Sequence, residues 1–162
     1  MKYITLLRHG KASADSGRDF NRVLTEEGIK DSELMGNFIK NELPSVDTIF
    51  CSSAVRAAQT AEIIAGQLDF KTSKINATDD LYDCNVSVYF DIMAELPPTM
   101  HHVLFVGHNP EVTSFLDTIL NAEGEDLEPC ELAHVTVDTF KWEDVDLGSG
   151  ELIDNIKPED LG

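Results

Sequence analysis

The sequence predicts an α/β fold, a three-layer sandwich with a mainly parallel central sheet and an antiparallel C-terminal edge. Short apolar runs alternate along the chain with longer segments whose apolar residues have helical spacing, and this alternation is typical of parallel strands joined by helices. The last part of the chain instead has the pattern of two strands joined by a glycine-rich turn. With 162 residues, of which 42% are hydrophobic, residues 1–162 are expected to form a single domain.

The first part of the chain is predicted to open with a buried strand. Lys2–Leu7 is an apolar run that ends sharply at Arg8-His9-Gly10, and a polar loop continues to about Leu24. The elements expected next are a helix capped by Thr25 and ending near Asn41, a strand at Val46–Phe50, a helix at Ala54–Leu68 and a weaker strand at Lys71–Ala77. The apolar residues expected on the core side of the first helix are Ile29, Met35, Phe38 and Ile39.

The second part of the chain continues the alternation and then changes to antiparallel strands. A third helix is expected to end at Pro97-Pro98, because proline cannot continue a helix. The elements expected after it are a strand at Val103–Val106, a helix capped by Asn109 with Pro110 at its first position, a strand at Ala133–Phe140, a turn at Gly148-Ser149-Gly150 and an edge strand at Leu152–Ile156.

The formal net charge of −18 argues against nucleic acid or an anionic membrane surface as a partner, because both would be repelled. The acidic excess lies mostly in the C-terminal part, where a solvated acidic surface explains it. Residues 1–60 are balanced in charge and contain all four arginines, Arg8, Arg18, Arg22 and Arg56. A solvated surface does not explain why the arginines are confined to this segment.

The remaining composition favours a cytoplasmic protein with reduced thiols. Cys51, Cys84 and Cys130 are odd in number and form no CxxC pair, so neither a disulfide framework nor a cysteine zinc site is expected. The N-terminus has no signal-peptide pattern, and no apolar run has the length of a transmembrane helix.

Three predicted strands end in polar clusters, LLRHG at 6–10, IFCSSAVRA at 49–57 and LFVGHNP at 104–110. Ligands of parallel sheets bind beyond the carboxyl ends of the strands, so Arg8, His9, Arg56 and His108 are expected to meet at one edge. Arginine forks and helix N-termini suit a tetrahedral phosphate. Taken singly, each residue has an ordinary structural explanation. Their joint occurrence predicts a phosphate site.

The chain resembles the histidine phosphatase superfamily over most of its length, and within it the small SixA-type phosphohistidine phosphatases. The resemblance rests on these three motifs together with RVLTEEG at 22–28, SSAVRAAQTAE at 52–62 and LYD at 81–83. The resemblance implies a phosphoglycerate mutase-like fold. It also implies that His9 is the nucleophile, and that Arg8, Arg56 and His108 bind and polarise the phosphoryl group. No metal ion or cofactor is expected for this chemistry.

Some positions leave more than one interpretation open. Larger relatives resemble the pattern L-x-E where this chain has Leu81-Tyr82-Asp83, so Asp83 is either the proton donor or a surface aspartate. Arg18 and Arg22 either bind substrate at the rim or form surface ion pairs. Asp15 replaces an asparagine of the related mutases, and there it repels phosphate unless it turns away or pairs with one of these arginines. Gly10 is expected to permit a sharp turn and the close approach of phosphate.

The leading hypothesis is a metal-independent phosphatase that removes phosphoryl groups from protein phosphohistidine and acts in signalling. Imidazole leaves from phosphorus more readily than an alkoxide, so a weak acid at position 83 is tolerated for this substrate. The alternatives are a phosphatase of small phosphate monoesters or a mutase, and a non-catalytic phosphate-binding interaction module. The expected partner is a phosphorylated protein or a small phosphorylated substrate, and the protein is expected to be a monomer.

Overall fold

The structure is a computed structural model that describes residues 1–14 and 17–162. The strands are β1 (Lys2–Arg8), β2 (Thr48–Ser52), β3 (Asn76–Thr78), β4 (His102–Gly107), β5 (Leu132–Val137) and β6 (Gly150–Ile156). The helices are α1 (Glu26–Glu42), α2 (Val55–Gln67), α3 (Ser87–Ala94) and α4 (Glu111–Leu120).

The described strands form a six-stranded sheet in the order β3-β2-β4-β1-β5-β6. The strands β3, β2, β4 and β1 run parallel, whereas β5 and β6 run antiparallel to their neighbours. The predicted fold class, including its antiparallel C-terminal edge, is therefore confirmed. In the pairing of β1 with β4, Arg8 lies opposite Gly107, so the carboxyl ends of these two strands coincide.

The sheet is covered on both faces, which makes the molecule a three-layer sandwich. Along β4, Val103 and Phe105 pack into one apolar cluster with α3 and α4, while Leu104 and Val106 pack into a second cluster with α1 and α2. All four side chains are fully buried. A strand buried on both faces has a continuous apolar run, which is why β4 could be recognised in the sequence.

The start of α1 confirms one prediction and corrects another. The Thr25 side chain accepts a hydrogen bond from the Gly28 amide at 3.0 Å, as expected of an N-cap. Ile29, however, is 38% exposed and does not face the core. The buried stripe of α1 instead runs through Gly28, Ser32, Met35, Gly36 and Ile39. Close packing against neighbouring backbone favours small residues here, and Ile29 lies one position off that stripe.

Two strand predictions were too long. Of the segment Lys71–Ala77, Thr72–Lys74 forms a short 3-10 helix, and pairing with β2 involves only Asn76–Thr78. The strand predicted to reach Phe140 ends at Val137, and the Phe140 side chain is 74% exposed.

The predicted cap of α4 was wrong. The helix begins at Glu111, and Pro110 takes the N-cap position without a side-chain hydrogen bond. The Asn109 side chain points elsewhere because it has two other partners: it donates to the Leu127 carbonyl at 2.7 Å and accepts from the Thr113 hydroxyl at 2.8 Å. The peptide bond between Asn109 and Pro110 is cis.

The cysteines carry free thiols, with Cys51 and Cys130 buried and Cys84 half-buried. None of the helices in residues 1–14 and 17–162 combines the length and the apolar composition needed to cross a bilayer.

A buried polar chain links three strands on one face of the sheet. The Pro44 carbonyl only accepts, so His102 donates to it from Nδ1 at 2.8 Å and is left with a lone pair on Nε2. The Thr5 hydroxyl lies 2.7 Å from that nitrogen and donates to it, and Thr5 in turn accepts from His134 Nδ1 at 2.8 Å. Burial lowers the pKa of His102 to about 4 and also lowers the pKa of His134.

We expect the buried His102 to make the fold sensitive to acid. Its pKa is lower in the folded state than in the unfolded chain, so the unfolded chain binds more protons between about pH 6.5 and pH 4. The free energy of unfolding should therefore fall through this window as pH falls, by at most about 1.4 kcal/mol per pH unit for this group. Urea unfolding of wild type and His102→Gln across the window should show a shallower pH dependence in the variant.

The matched control for that comparison is His101→Gln, because His101 is the exposed neighbour of His102. If the two variants lose the same amount of pH dependence, the buried chain is not its source.

Candidate active site

The ends of β1 and β4 bring two predicted site residues together. The His9 amide donates to the Gly107 carbonyl at 3.0 Å, immediately before His108. The imidazole rings of His9 and His108 lie with centroids 5.1 Å apart in an edge-to-face arrangement. The register of two parallel strands thus delivers both histidines to one point at the sheet edge.

His9 is held in one tautomer by its own chain. Its Nδ1 lies 2.7 Å from the Gly10 carbonyl, which only accepts, so Nδ1 carries the proton and Nε2 carries the lone pair. Arg56 donates from Nε to this lone pair at 3.2 Å. Burial lowers the pKa of His9 to about 3, and the nearby His108, Arg56 and Arg8 act in the same direction. His9 is therefore a neutral imidazole at neutral pH, and its Nε2 lone pair becomes nucleophilic once the Arg56 donor turns to another acceptor.

The structure explains the glycine at position 10 by close packing and not by the sharp turn that the sequence predicted. Its backbone lies outside the left-handed region, but a Cβ here would lie 2.9 Å from the Gly28 carbonyl oxygen at the start of α1. Its amide donates to the Thr60 hydroxyl at 3.1 Å, and Thr60 donates to the Arg56 carbonyl at 2.8 Å. The loop after His9 is thereby tied to the first turns of both α1 and α2. Direct contact between Gly10 and phosphate stays a prediction.

Arg56 reaches the site because α2 begins only three residues after β2 ends. The side chain is almost fully buried, with 5% of the residue exposed. Besides its contact with His9, Arg56 donates from Nη1 to the Asp19 backbone carbonyl at 2.7 Å and from Nη2 to the Asp19 carboxylate at 3.0 Å.

His108 is oriented by Ser52 at the end of β2. The Ser52 oxygen accepts from the Ala54 amide at 3.2 Å and lies 2.8 Å from His108 Nε2, to which we assign its hydroxyl proton. This assignment leaves the His108 proton on Nδ1. Burial lowers the pKa of His108 to about 4, with Arg56 as the next cause, so this ring too is neutral at neutral pH.

Arg8 and His108, which both act on the pKa of His9, each have a buried nitrogen without a hydrogen-bond partner among the described residues. Arg8 donates from Nη1 to the Leu127 carbonyl at 2.9 Å. Arg8 Nε and His108 Nδ1 are buried and have no hydrogen-bond partner among the described residues. Buried donors are nearly always paired in proteins, so these two nitrogens, beside His9 and the Arg56 guanidinium, are suited to an anionic ligand.

The remaining predicted site residues that the structure describes are Arg22, Arg18 and Asp83. Arg22 donates to the Ser13 carbonyl at 2.7 Å and to the Asp19 carboxylate at 3.1 Å, and it lines a cavity of about 610 Å³ together with Arg8 and His9. Arg18 and Asp83 are exposed, and neither side chain makes a hydrogen bond or ion pair with the described residues. Asp15 lies outside the described residues.

Sequence reasoning missed Asp19 and Tyr82. The Asp19 carboxylate accepts from the Tyr82 hydroxyl at 2.7 Å as well as from Arg56 and Arg22. The Tyr82 ring packs edge-on against His108 and Phe20, with centroids 5.5 Å and 5.2 Å away. Asp19 lies in a polar loop without periodicity, and nothing in the sequence pairs it with a tyrosine 63 positions away.

Among the described residues, no group of three or more His, Cys, Asp or Glu side chains is arranged to hold a metal ion. What the site offers is a neutral imidazole nucleophile beside two permanent cations and a second neutral imidazole.

A comparison with protein families agrees with this geometry. The family model of the histidine phosphatase superfamily (branch 1) matches residues 4–98, which include the Arg8-His9-Gly10 motif and Arg56. The chain belongs to the histidine phosphatase superfamily. Among curated relatives, phosphohistidine phosphatase SixA of Escherichia coli (strain K12) is 27% identical over 150 residues, which cover 86% of this chain and 91% of SixA.

Two further comparisons show how wide the family is. A solved structure of the protein histidine phosphatase SixA complexed with tungstate superposes with a TM-score of 0.86 at 25% identity and covers 99% of each chain. The mitochondrial serine/threonine-protein phosphatase Pgam5 of Drosophila melanogaster is 31% identical over 116 residues, which cover 71% of this chain and 36% of that protein. This member of the superfamily is therefore similar to phosphatases with different named substrates.

We expect His9 to stay neutral, with its proton on Nδ1, from about pH 8 to about pH 5, because burial lowers its pKa to about 3. Two-dimensional NMR of protein labelled with ¹⁵N-histidine distinguishes the two neutral tautomers from imidazolium. The exposed His101 provides an internal reference in the same spectra. Half-protonation of His9 near its ordinary value of about 6.5 would contradict the assignment.

Proposed function

We propose that the protein is a phosphohistidine phosphatase that works through a covalent intermediate on His9. The observation that carries the proposal is the His9 imidazole, which is neutral, keeps its lone pair on Nε2 because Gly10 accepts from Nδ1, and lies against Arg56. Similarity to SixA over 91% of its length supports phosphohistidine as the substrate class. Phosphatase activity as such follows from membership of the superfamily.

The reaction has two displacements at phosphorus. His9 Nε2 attacks and the bond from phosphorus to the substrate imidazole breaks; the substrate leaves as a neutral imidazole because its other ring nitrogen takes a proton from solvent. Water then attacks phosphorus, loses a proton to solvent and releases inorganic phosphate, and the electron pair of the breaking bond returns to His9 Nε2. One difficult displacement by water is thereby replaced by two easier steps.

Arg8, Arg56 and His108 stabilise the charge on the transferred group. The two guanidiniums stay cationic at every physiological pH, and the unpaired donors at Arg8 Nε and His108 Nδ1 are available to phosphoryl oxygens. Because the donors are held in place before the substrate arrives, they stabilise the equatorial oxygens of each transition state without reorganisation.

The leaving group supports phosphohistidine over phosphate monoesters. Asp83, the predicted proton donor, is exposed and has no contact with Arg8, His9, Arg56 or His108. A histidine leaving group has a conjugate-acid pKa of about 6.5, far below that of an alkoxide, and depends less on a positioned acid. We place this activity in the cytoplasm, on a phosphorylated signalling protein, with residues 1–162 acting as one monomeric domain.

Hydrolysis of phosphate monoesters is the second candidate. It is favoured by the similarity to Pgam5, a serine/threonine-protein phosphatase. A non-catalytic phosphate-binding module is disfavoured because the nucleophile, its tautomer and both guanidiniums are all in place.

We expect wild type to release phosphate from a histidine-phosphorylated protein domain, and His9→Ala to be slower by at least about 10³-fold, because the variant lacks the nucleophile. An alkaline quench with ³²P-labelled substrate should trap a labelled enzyme in wild type alone. His101→Ala is the matched control, since it removes an exposed histidine. Equal turnover in His9→Ala and wild type would refute the proposal. Tight phosphate binding without label on His9 for any donor would favour the non-catalytic module.

Asp83→Asn separates the two substrate classes. Asparagine also tolerates the positive φ of 53° at this residue, so the backbone should be kept. If Asp83 serves only difficult leaving groups, hydrolysis of phosphate monoesters should fall by about 10²-fold or more while phosphohistidine turnover changes by less than about threefold. The measurement is the steady-state rate of each variant on both substrates. Asp80→Asn is the control for the loss of one negative charge. An equal loss on both substrates would contradict the leaving-group argument.

A further inference from the structure

Asp19 encloses the outer side of Arg56. Its backbone carbonyl accepts from Nη1 at 2.7 Å, and its carboxylate accepts from Nη2 at 3.0 Å. Two acceptors from one residue fix the rotation of the guanidinium, and this leaves Nε directed at His9 Nε2 at 3.2 Å. The direction in which Arg56 donates to the nucleophile is therefore set by Asp19.

The Asp19 carboxylate is itself held in place. Tyr82 donates to the same oxygen that Arg56 contacts, at 2.7 Å, and Arg22 donates to the other oxygen at 3.1 Å. These hydrogen bonds, with that from Tyr82 foremost, hold the pKa of Asp19 far below its usual range. Asp19 therefore carries its negative charge at neutral pH, and it is unsuited to donate a proton.

That charge lies beside a site whose own charges are few. His9 and His108 are neutral, because burial lowers their pKa values to about 3 and about 4. The permanent positive charges nearest His9 are those of Arg8 and Arg56, with Arg22 lining the same cavity, and Asp19 offsets both Arg56 and Arg22. A carboxylate in contact with Arg56 repels any dianion that Arg56 binds, and solvent screens part of this repulsion because 53% of the Asp19 side chain is exposed.

We propose that Asp19 is a positioning residue that directs Arg56 toward His9 and at the same time weakens the binding of free phosphate. The proposal rests on the phosphatase function argued above. Its two effects serve turnover together. When substrate binds, the fixed guanidinium transfers its Nε–H donation from His9 Nε2 to a phosphoryl oxygen, which frees the lone pair for attack, and weaker binding of the product lets inorganic phosphate leave. Binding the dianion less tightly without losing alignment in the transition state is the condition for a high turnover rate.

The test is Asp19→Asn, which keeps the size of the side chain and an acceptor oxygen but removes the charge. We expect the dissociation constant of inorganic phosphate, measured by calorimetry, to fall by about threefold to tenfold as the repulsion is lost. We also expect single-turnover labelling of His9 to slow by about tenfold, since a neutral amide holds the guanidinium less firmly. Tighter phosphate binding with a slower chemical step is the signature, because a merely structural loss would weaken both.

Asp19→Glu separates charge from position. It keeps the negative charge but moves the carboxylate by one methylene, so phosphate affinity should stay near that of wild type while labelling of His9 slows. Asp69→Asn is the matched control: it removes one carboxylate just beyond the opposite end of α2, at an exposed residue whose positive φ of 57° suits asparagine. That variant should resemble wild type in both measurements.

Each outcome supports or overturns the proposal. Weaker or unchanged phosphate binding in Asp19→Asn would overturn the electrostatic part, and an unchanged labelling rate would overturn the positioning part. The calorimetric measurement needs no phosphoryl donor, so an inactive wild type would refute the proposed function while the binding part is still decided. If wild type binds phosphate too weakly to measure, Asp19→Asn decides the binding part alone: measurable binding in the variant supports it, and its absence overturns it.

Discussion

The parallel pairing of β1 with β4 is the constraint on which the rest of the site depends. Its register sets Arg8 opposite Gly107, so His9 and His108 leave the sheet side by side. The antiparallel neighbour β5 acts from the other side: the Cys130 amide, two residues before β5, lies 3.0 Å from both the Arg8 and the His9 carbonyl. The backbone at His9 is thus held by hydrogen bonds with β4 and with the residues just before β5, and these bonds set the positions of the side chains.

Burial then decides which groups carry charge. The two imidazoles are too far from solvent to be protonated at neutral pH, whereas the two guanidiniums remain charged because no physiological pH neutralises arginine. The positive charge is local, since the chain as a whole carries −18. At distances beyond about 10 Å, salt screens individual charges and the net field disfavours anions. A phosphoryl group bound here would therefore depend on short-range contacts.

The parts of the site that follow strands could be predicted from the sequence, and the part within the loop could not. Arg8, His9 and His108 come directly after apolar runs, so the parallel topology was enough to bring them together. Asp19 lies in a segment with neither periodicity nor strand boundary, and its role depends on contacts with Arg56 and Tyr82 that no local pattern encodes. The mistaken Asn109 cap has the same origin, because its partner Leu127 is distant in sequence.

The close approach of Gly10 and Gly28 restricts which residues can stand at the start of α1. Glycine in a helix costs about 1 kcal/mol relative to alanine, so the first turn of α1 carries a residue that helix formation alone would not select. A Cβ on Gly28 would lie 2.3 Å from the Lys11 carbonyl oxygen, and one on Gly10 would lie 2.9 Å from the Gly28 carbonyl oxygen. Gly28, which by helix propensity alone only destabilises α1, is thus required by its packing against the loop after His9. Neither glycine can gain a Cβ without displacing that loop, so the loop that follows His9 restricts the sequence at the start of α1.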